Sequence, residues 1–383
     1  MLNRRTLRIK AMQSIYAYEQ CKEANYHLAL NNIEETFQPD LNSMEKQDKV
    51  LLKAQSKEAT DLFKESFKAE EAKKLEASEE CIVEEVKKAT DYYHDQIKKD
   101  AQFLKREMLK DAELIYKRYL WLIHWAGAFI DLLSDTKPRK GFPSFNNLLN
   151  NTAIKHVLSN KELTSLYAKN DLTWDNQEEE FRVWLYEVFM KDEFIVDYLY
   201  KGSTNFNSDK EVLLHIYRSI FFKNEIISSY MEKTDLYWAE NKAILRSMVL
   251  KTLKAIEEDI QDFELAALSY NWEEDKQFFE TIYNQTIKEG EFYDDLIAGK
   301  TKNWDIDRIS DTDRILLQMA IQEMINFPGI PVKVTINEYI EVSKKYSTPK
   351  SKQFINGVLD VIAVDLQNKG VIKKSGRGLI DNK

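Results

Sequence analysis

From Asp40 to Ala126 the chain runs 87 residues without a glycine or a proline. Such a stretch lacks the residues that most readily interrupt regular structure, so at least two long helices are expected in it. The rest of the sequence points the same way. Only 10 Gly and 6 Pro occur in 383 residues, too few for the many tight turns of an all-β fold and too few for a glycine-rich phosphate cradle. Leu, Lys, Glu, Ala and Ile dominate, and these residues suit helices. The fold class expected is all-α.

The weakly apolar part of the long stretch, around Lys57 to Glu80, reads as a solvated arm or hairpin; no sustained heptad runs through it, although a coiled coil is the competing reading. The most apolar run, Tyr119 to Leu133, contains His124 and Asp131. It is shorter than the roughly twenty apolar residues of a membrane span, so a buried core helix is expected. Charge at the N-terminus is followed by no apolar run, unlike a signal peptide. Cys21 and Cys81 lie far apart in sequence, and the five histidines show no paired ligand spacing. A reduced, cytoplasmic setting with no metal and no cofactor fits this usage.

Pro138, Gly141 and Pro143 mark a loop from Ser134 to Ser144. Beyond it, three- and four-residue apolar spacing predicts helices over Thr152–Lys169, Gln177–Tyr200, Ser208–Ser229 and Trp238–Gln261, with Tyr198, Tyr217, Tyr230 and Tyr237 as packing residues. Asp275–Lys288 is a further helix. Ser310 opens another, with Asp311 and Asp313 in its first turn and Ser310/Asp313 resembling a capping box. Phe327-Pro328-Gly329 stops it. Pro331 suits the first turn of the next helix, and Ser351 begins the last, which carries Ile355, Val358, Leu359, Ile362 and Leu366. The short connections here predict a small antiparallel bundle.

Net charge is −9, which at first argues against nucleic acid, but the charge is unevenly spread. Residues 1–20 hold Arg4, Arg5, Arg8 and Lys10 against Glu19, a net of +3, and Lys333 to Lys383 carries a net of +5. The acidic excess therefore sits between two basic ends. A nucleic-acid site needs only a local basic patch.

Two segments at the C-terminal end are distinctive. Pro331-Val332-Lys333-Val334-Thr335-Ile336-Asn337-Glu338-Tyr339-Ile340-Glu341 is followed by Ser351-Lys352-Gln353-Phe354-Ile355-Asn356-Gly357-Val358-Leu359-Asp360. Together they resemble the C-terminal signature of the NusB family of bacterial transcription antitermination factors. Arg4 to Tyr16 resembles that family's arginine-rich first helix, and Asp313 to Met324 its central helix. The likeness to short members covers about residues 1–20 and 270–383, and the whole is similar to long forms with an insertion after the first helix. The resemblance implies a NusB-like helical bundle of two three-helix subdomains with a large helical insertion. It divides the chain into the first helix (1–21), an insertion (22–236) with a charged helical arm at about 40–118, and the remainder with a basic tail (237–383). It implies no enzyme activity. Its expected partners are the ribosomal protein NusE, boxA-type RNA of ribosomal RNA leaders, and the transcription elongation complex.

The residue chemistry bears on where RNA would bind. Guanidinium forks suit phosphates, which makes Arg4, Arg5 and Arg8, with Lys10 behind them, candidates for the RNA backbone; a merely solubilising N-terminus is the competing reading. Lys350, Lys352 and Phe354 open the last helix, where two ammoniums and an aromatic face suit a single strand, unless Phe354 belongs to the core. Gln353 stands where the family often has Lys. The resemblance places Tyr16 and Asp313 near partner surfaces, although a core tyrosine and a capping carboxylate explain them equally. Asn337, Asn356 and Gly357 read as structural, the glycine by close packing and the asparagines by bonding a neighbouring loop. Lys369, Lys373, Lys374 and Arg377 form a tail that either attracts RNA or is a disordered end.

Two other functions compete. The acidic middle suits a helical scaffold that attracts basic proteins without touching RNA. Some RNA cytosine methyltransferases carry a NusB-like domain, but that reading needs a strand-containing cofactor domain and a nucleophilic cysteine.

Overall fold

The computed structural model describes residues 1–42, 44, 46–68, 77–260, 262–300 and 309–382, of which 381 and 382 are described for their backbone alone. The helices are α1 (Arg4–Thr36), α2 (Lys49–Ser66), α3 (Glu80–Ser134), α4 (Asn146–Leu149), α5 (Thr152–Leu158), α6 (Lys161–Lys169), α7 (Glu178–Glu187) and α8 (Glu193–Leu199). They continue with α9 (Phe206–His215), α10 (Glu225–Thr234), α11 (Trp238–Ala255), α12 (Trp272–Lys288), α13 (Gly290–Ala298), α14 (Asp311–Asn326), α15 (Val332–Tyr346) and α16 (Ser351–Asn368). The fold is all-α. Among the described residues strand pairing is limited to one isolated bridge, Glu257 with Ile260, so they contain no sheet of the kind a methyltransferase domain requires. No helix among them is long and apolar enough to cross a membrane.

Two compact units divide the chain. The first comprises Met1–Asn3 and Lys110–Asp275; the second comprises Arg4–Leu109 and Lys276–Lys383. The family boundary expected near residue 237 falls inside the first unit.

The first unit is built around the apolar end of α3. Tyr119, Leu120, Leu122, Ile123, Trp125, Ala126 and Phe129 are buried, as a core helix requires. Trp125 is ringed by Phe129, Phe181, Trp184, Phe189, Tyr217 and Phe221, with ring centroids 5.0–6.2 Å away. Three of the long helices expected here are broken into shorter ones. The breaks come where Asn or Asp caps a new helix start by accepting a backbone amide: Asn160 from Leu163, Asp192 from Ile195 and Asn224 from Ile226. Ile216–Phe221 is moreover wound as a π-turn, which loosens the end of α9 before the chain reaches Asn224.

In the second unit α1 is much longer than the family's opening motif, and its C-terminal half packs against the segment expected to be a solvated arm or hairpin. Ala29, Ile33 and Phe37 pack with Ala59 and Phe63 of α2 and with Ile82, Val86, Ala89 and Tyr93 of α3. The expected hairpin therefore has a dry side, made from few apolar residues at helical spacing among many charges. The part of that expectation over 69–76 lies outside the described residues. The C-terminal half of the unit is the predicted small bundle: α13, α14, α15 and α16 pack together, and α1 lies against α14 and α15. Pro331 is the N-cap of α15 rather than its first helical residue; with φ −60° and ψ 144° it leads in from extended backbone.

Candidate nucleic-acid interface

The candidate cations sit on α1 and at the start of α16, and α14 packs against both helices. α1 and α14 run antiparallel: Arg8 bonds Glu323 near the end of α14, and Arg314 in its first turn bonds Glu19, Nη2 to Oε2 at 3.1 Å.

Arg8 is 3 % exposed and Glu323 wholly buried. Nε and Nη2 each donate to one carboxylate oxygen at 2.7 Å. The same carboxylate accepts from Thr335 Oγ1 at 2.8 Å and Tyr339 Oη at 3.2 Å. Burial by itself would lower the Arg8 pKa, but attraction to Glu323 and these hydrogen bonds overcome it and hold the guanidinium above its ordinary value. Burial, helped by the negative charge of Glu323, likewise pushes the Tyr339 phenol well above its usual range. Arg8 thus joins α1, α14 and α15, and its fork is not open to a phosphate. Lys10 is equally buried, at 3 % exposure.

Arg4 and Arg5 differ. The Arg4 guanidinium lies 4.9 Å from the centroid of the Phe278 ring, which Arg8 also approaches at 5.3 Å. The Arg5 side chain is 47 % exposed while bonding Glu338 through two N–H groups at 2.9 and 2.8 Å. Its pKa rises, chiefly through that hydrogen bond.

The second candidate group surrounds the start of α16. Asp313 accepts from Ser347 Oγ at 2.6 Å and Ser351 Oγ at 2.7 Å, and so ties the first turn of α14 to the α15–α16 connection. Only half of the expected capping box forms: Ser310 accepts from the Asp313 amide at 3.2 Å, while the Asp313 carboxylate serves the two serines. Lys350 is the exposed N-cap of α16, Lys352 and Gln353 are exposed, and Phe354 is half-buried. Tyr16 on α1 is 41 % exposed.

The two groups share a unit but not a cluster. Asp313, which anchors Ser351, lies ten residues before Glu323, which anchors Arg8, so about 15 Å of α14 separates them at 1.5 Å per residue. Arg5 thus lies toward one end of the α1–α14 pair and Lys350 and Lys352 toward the other, with Tyr16 on the stretch of α1 between Arg8 and Glu19.

Three structural expectations need correction. Gly357 is exposed, and a Cβ built there would meet nothing within 4 Å; close packing does not explain it. Asn356 bonds Asp360 one turn along its own helix, at 3.1 Å, rather than a neighbouring loop. Nor is the tail a free end. Ile372 is buried, Lys374 Nζ donates to the Phe327 carbonyl at 2.9 Å, and the Ser375 amide donates to that of Pro328 at 3.0 Å. Glu323 and Glu338 are not among the residues that the sequence singles out. The available signal is a carboxylate placed one turn after Met319, on the apolar face of α14, where it requires a buried cation.

Residues 243–364 match the family model described as the NusB family. The transcription antitermination protein NusB of Salinibacter ruber is 42 % identical over 141 residues, which cover 35 % of this chain and 88 % of that protein. The chain belongs to the NusB family. Two further NusB proteins are similar: that of Chloroherpeton thalassium at 43 % over 106 residues (28 % of this chain, 50 % of the relative), and that of Natranaerobius thermophilus at 39 % over 109 residues (28 % and 76 %). About a third of the chain is thus matched to NusB relatives, and the matched family region includes α14, α15 and most of α16.

Proposed function

We propose that this chain is a transcription antitermination factor that binds boxA-type RNA of ribosomal RNA leaders together with NusE, within a transcription elongation complex and without catalysing a reaction. Similarity to proteins named for transcription antitermination supports the general role. The observation that carries the RNA reading is the placement of Lys350, Lys352 and half-buried Phe354 around the start of α16, in the same unit as exposed Arg5. Ammoniums and a guanidinium attract phosphates, and an aromatic edge at a helix start gives a base a surface to stack on. In this reading Arg4 and Arg5 touch the strand near one end of the α1–α14 pair and Lys350, Lys352 and Phe354 near the other. Arg8 and Lys10 support α1 from beneath. Tyr16 meets NusE or RNA between the two groups, and Asp313 shapes that surface by holding the start of α16.

The test is co-purification with NusE, followed by titration of a boxA RNA with the complex at several salt concentrations. Lys350→Ala with Lys352→Ala is expected to weaken binding and to flatten its salt dependence, by about 0.7 in log–log slope for each phosphate that is no longer neutralised. An unchanged slope removes both lysines from the site. Binding of NusE without any RNA binding favours the protein-scaffold reading instead.

A further inference from the structure

Between Asp135 and Glu162, inside the acidic middle of the chain, the sequence holds five cations and no carboxylate. Three of them, Lys137, Arg139 and Lys140, fall on the connection between α3 and α4, and all three are exposed. None of the three forms an ion pair among the described residues. Glu187 is the acid that feels Arg139, but it accepts from Lys191 Nζ at 2.6 Å, and Arg139 is the smallest of the influences on it. Asp131 and Asp135 line a separate cleft together with Arg182.

Arg139 is held in place. Its guanidinium carbon lies 3.7 Å from the centroid of the Tyr186 ring on α7, and Tyr186 is itself buried. Phe142, 39 % exposed, meets the same ring edge-on, with centroids 5.7 Å apart and planes at 69°. The backbone supports this stack. The Phe142 amide donates to the Arg139 carbonyl at 3.0 Å, Pro138 and Pro143 fix φ on either side, and Gly141 takes φ 92°, which a side chain would oppose. At the foot of the loop, buried Thr136 donates through Oγ1 to the Leu132 carbonyl at 2.7 Å and accepts from Arg182 Nη1 at 3.3 Å. Tyr186 covers one face of the Arg139 guanidinium. The exposed side chain keeps the opposite face and its N–H groups for a ligand.

Cations alone would suit any polyanion, but the flat groups narrow the choice. A guanidinium plane and a phenyl ring offer faces on which an unstacked base can lie, whereas an acidic peptide needs neither. We propose that this loop is a holding point for single-stranded RNA of any sequence. One base lies on the open face of Arg139 beside Phe142, and the flanking phosphates meet Lys137 and Lys140. The loop belongs to the first unit, whereas the residues assigned to boxA belong to the second. It asks only for an unpaired strand, so the two proposals fail separately.

The experiment is fluorescence anisotropy of the intact chain with a labelled oligouridine of about twelve nucleotides, titrated at several salt concentrations. The same loop variants are measured in the parent and in a Lys350→Ala/Lys352→Ala background. Lys137→Ala with Lys140→Ala is expected to weaken binding at least about fivefold at low salt and to lower the log–log slope by about 1.4, at about 0.7 for each of two phosphates. Arg139→Lys keeps the charge and removes the plane; it is expected to weaken binding about fivefold with the slope unchanged. Unchanged melting temperatures establish that the variants fold. The proposal is overturned if the parent shows no saturable binding of oligouridine at low salt, an outcome that leaves the boxA reading to its own test. It is also overturned if the folded loop variants keep the parent's affinity and slope while Lys350→Ala/Lys352→Ala loses both. Displacement of the RNA by oligoglutamate of equal charge, with no effect of Arg139→Lys, overturns it in favour of an acidic protein partner.

Discussion

Replacing Glu323 with Ala tests whether the arginine-rich start of α1 is a structural element before it is a binding one. The Glu323 carboxylate accepts two bonds from Arg8 and one each from Thr335 and Tyr339, all in the interior. Its loss strands a guanidinium that is only 3 % exposed, a defect that costs about 3–5 kcal/mol. The two orphaned hydroxyls would each add up to about 1–3 kcal/mol, less whatever the cavity recovers by relaxing. Glu338, whose Oε2 lies 3.5 Å from Arg8 Nη1, takes up part of the charge, so the lower end near 3 kcal/mol is the working value. In a unit of roughly two hundred residues this lowers the melting temperature by about 6–12 °C at 2–4 °C per kcal/mol. Calorimetry with hydrogen exchange on α1 and α14 amides measures both the loss and its location. Arg8→Met combined with Glu323→Leu removes both charges and is expected to recover at least half of the deficit, because a buried ion pair is often replaceable by apolar groups of similar volume. If Glu323→Ala stays within about 1 kcal/mol of the parent, or if the double variant is no better than the single, the buried pair does not hold α1 in place.

Three further perturbations follow from the packing. A Cβ at Gly378 would sit 2.0 Å from the Pro328 carbonyl oxygen, so Gly378→Ala should release the tail, seen as faster hydrogen exchange at Ser375 with little change in α14. Asn160 caps α6 and also donates Nδ2 to the Phe263 carbonyl at 3.0 Å while 1 % exposed; Asn160→Ala should cost about 1–3 kcal/mol in urea unfolding. Asp294 has its pKa raised by burial, against the pull of Gln318 and Arg314. A carboxyl raised on folding contributes stability below its unfolded pKa and loses it as pH rises through the folded value. The parent's stability relative to Asp294→Asn should therefore fall between about pH 4 and neutrality, as denaturation across that range would measure, and the reverse trend would refute the assignment.

Helix content was legible because it rests on composition and period, which act locally. The start of α14 at Ser310, the span of α16 and the buried run in α3 were readable from capping and apolar spacing alone. What failed to show was where one long apolar pattern becomes two helices. The pattern continues unbroken through Ser159–Asn160 and through Asp192, since the buried stripe simply resumes after the cap. The cue was the Asn or Asp at each break, which accepts an amide two or three residues on, but such residues also occur on exposed helix faces. The packed side of the α1–α2–α3 segment was hidden for another reason. Few of its residues are apolar, and these meet one another across tens of positions, a relation that no window along the chain displays.

The candidate site was legible in its residue types and not in its distribution. Four cations within seven residues look like one patch, yet a helix divides them among faces: Arg8 turns inward to Glu323, Lys10 is buried, and Arg5 stays half-exposed against Glu338. Charge counted along the sequence therefore overstates charge offered to a ligand. Arg5, Lys350 and Lys352 present exposed heads on this unit and Arg4 a half-buried one, and a single strand gives a slope of about −0.7 per neutralised phosphate, so their joint contribution approaches about −3. Six cations acting together would give about −4. A measured slope near the smaller value is what burial demands, and it follows from the same fact that the Glu323→Ala variant tests: Arg8, one of the three arginines that the sequence offers to phosphates, already has a buried carboxylate of its own.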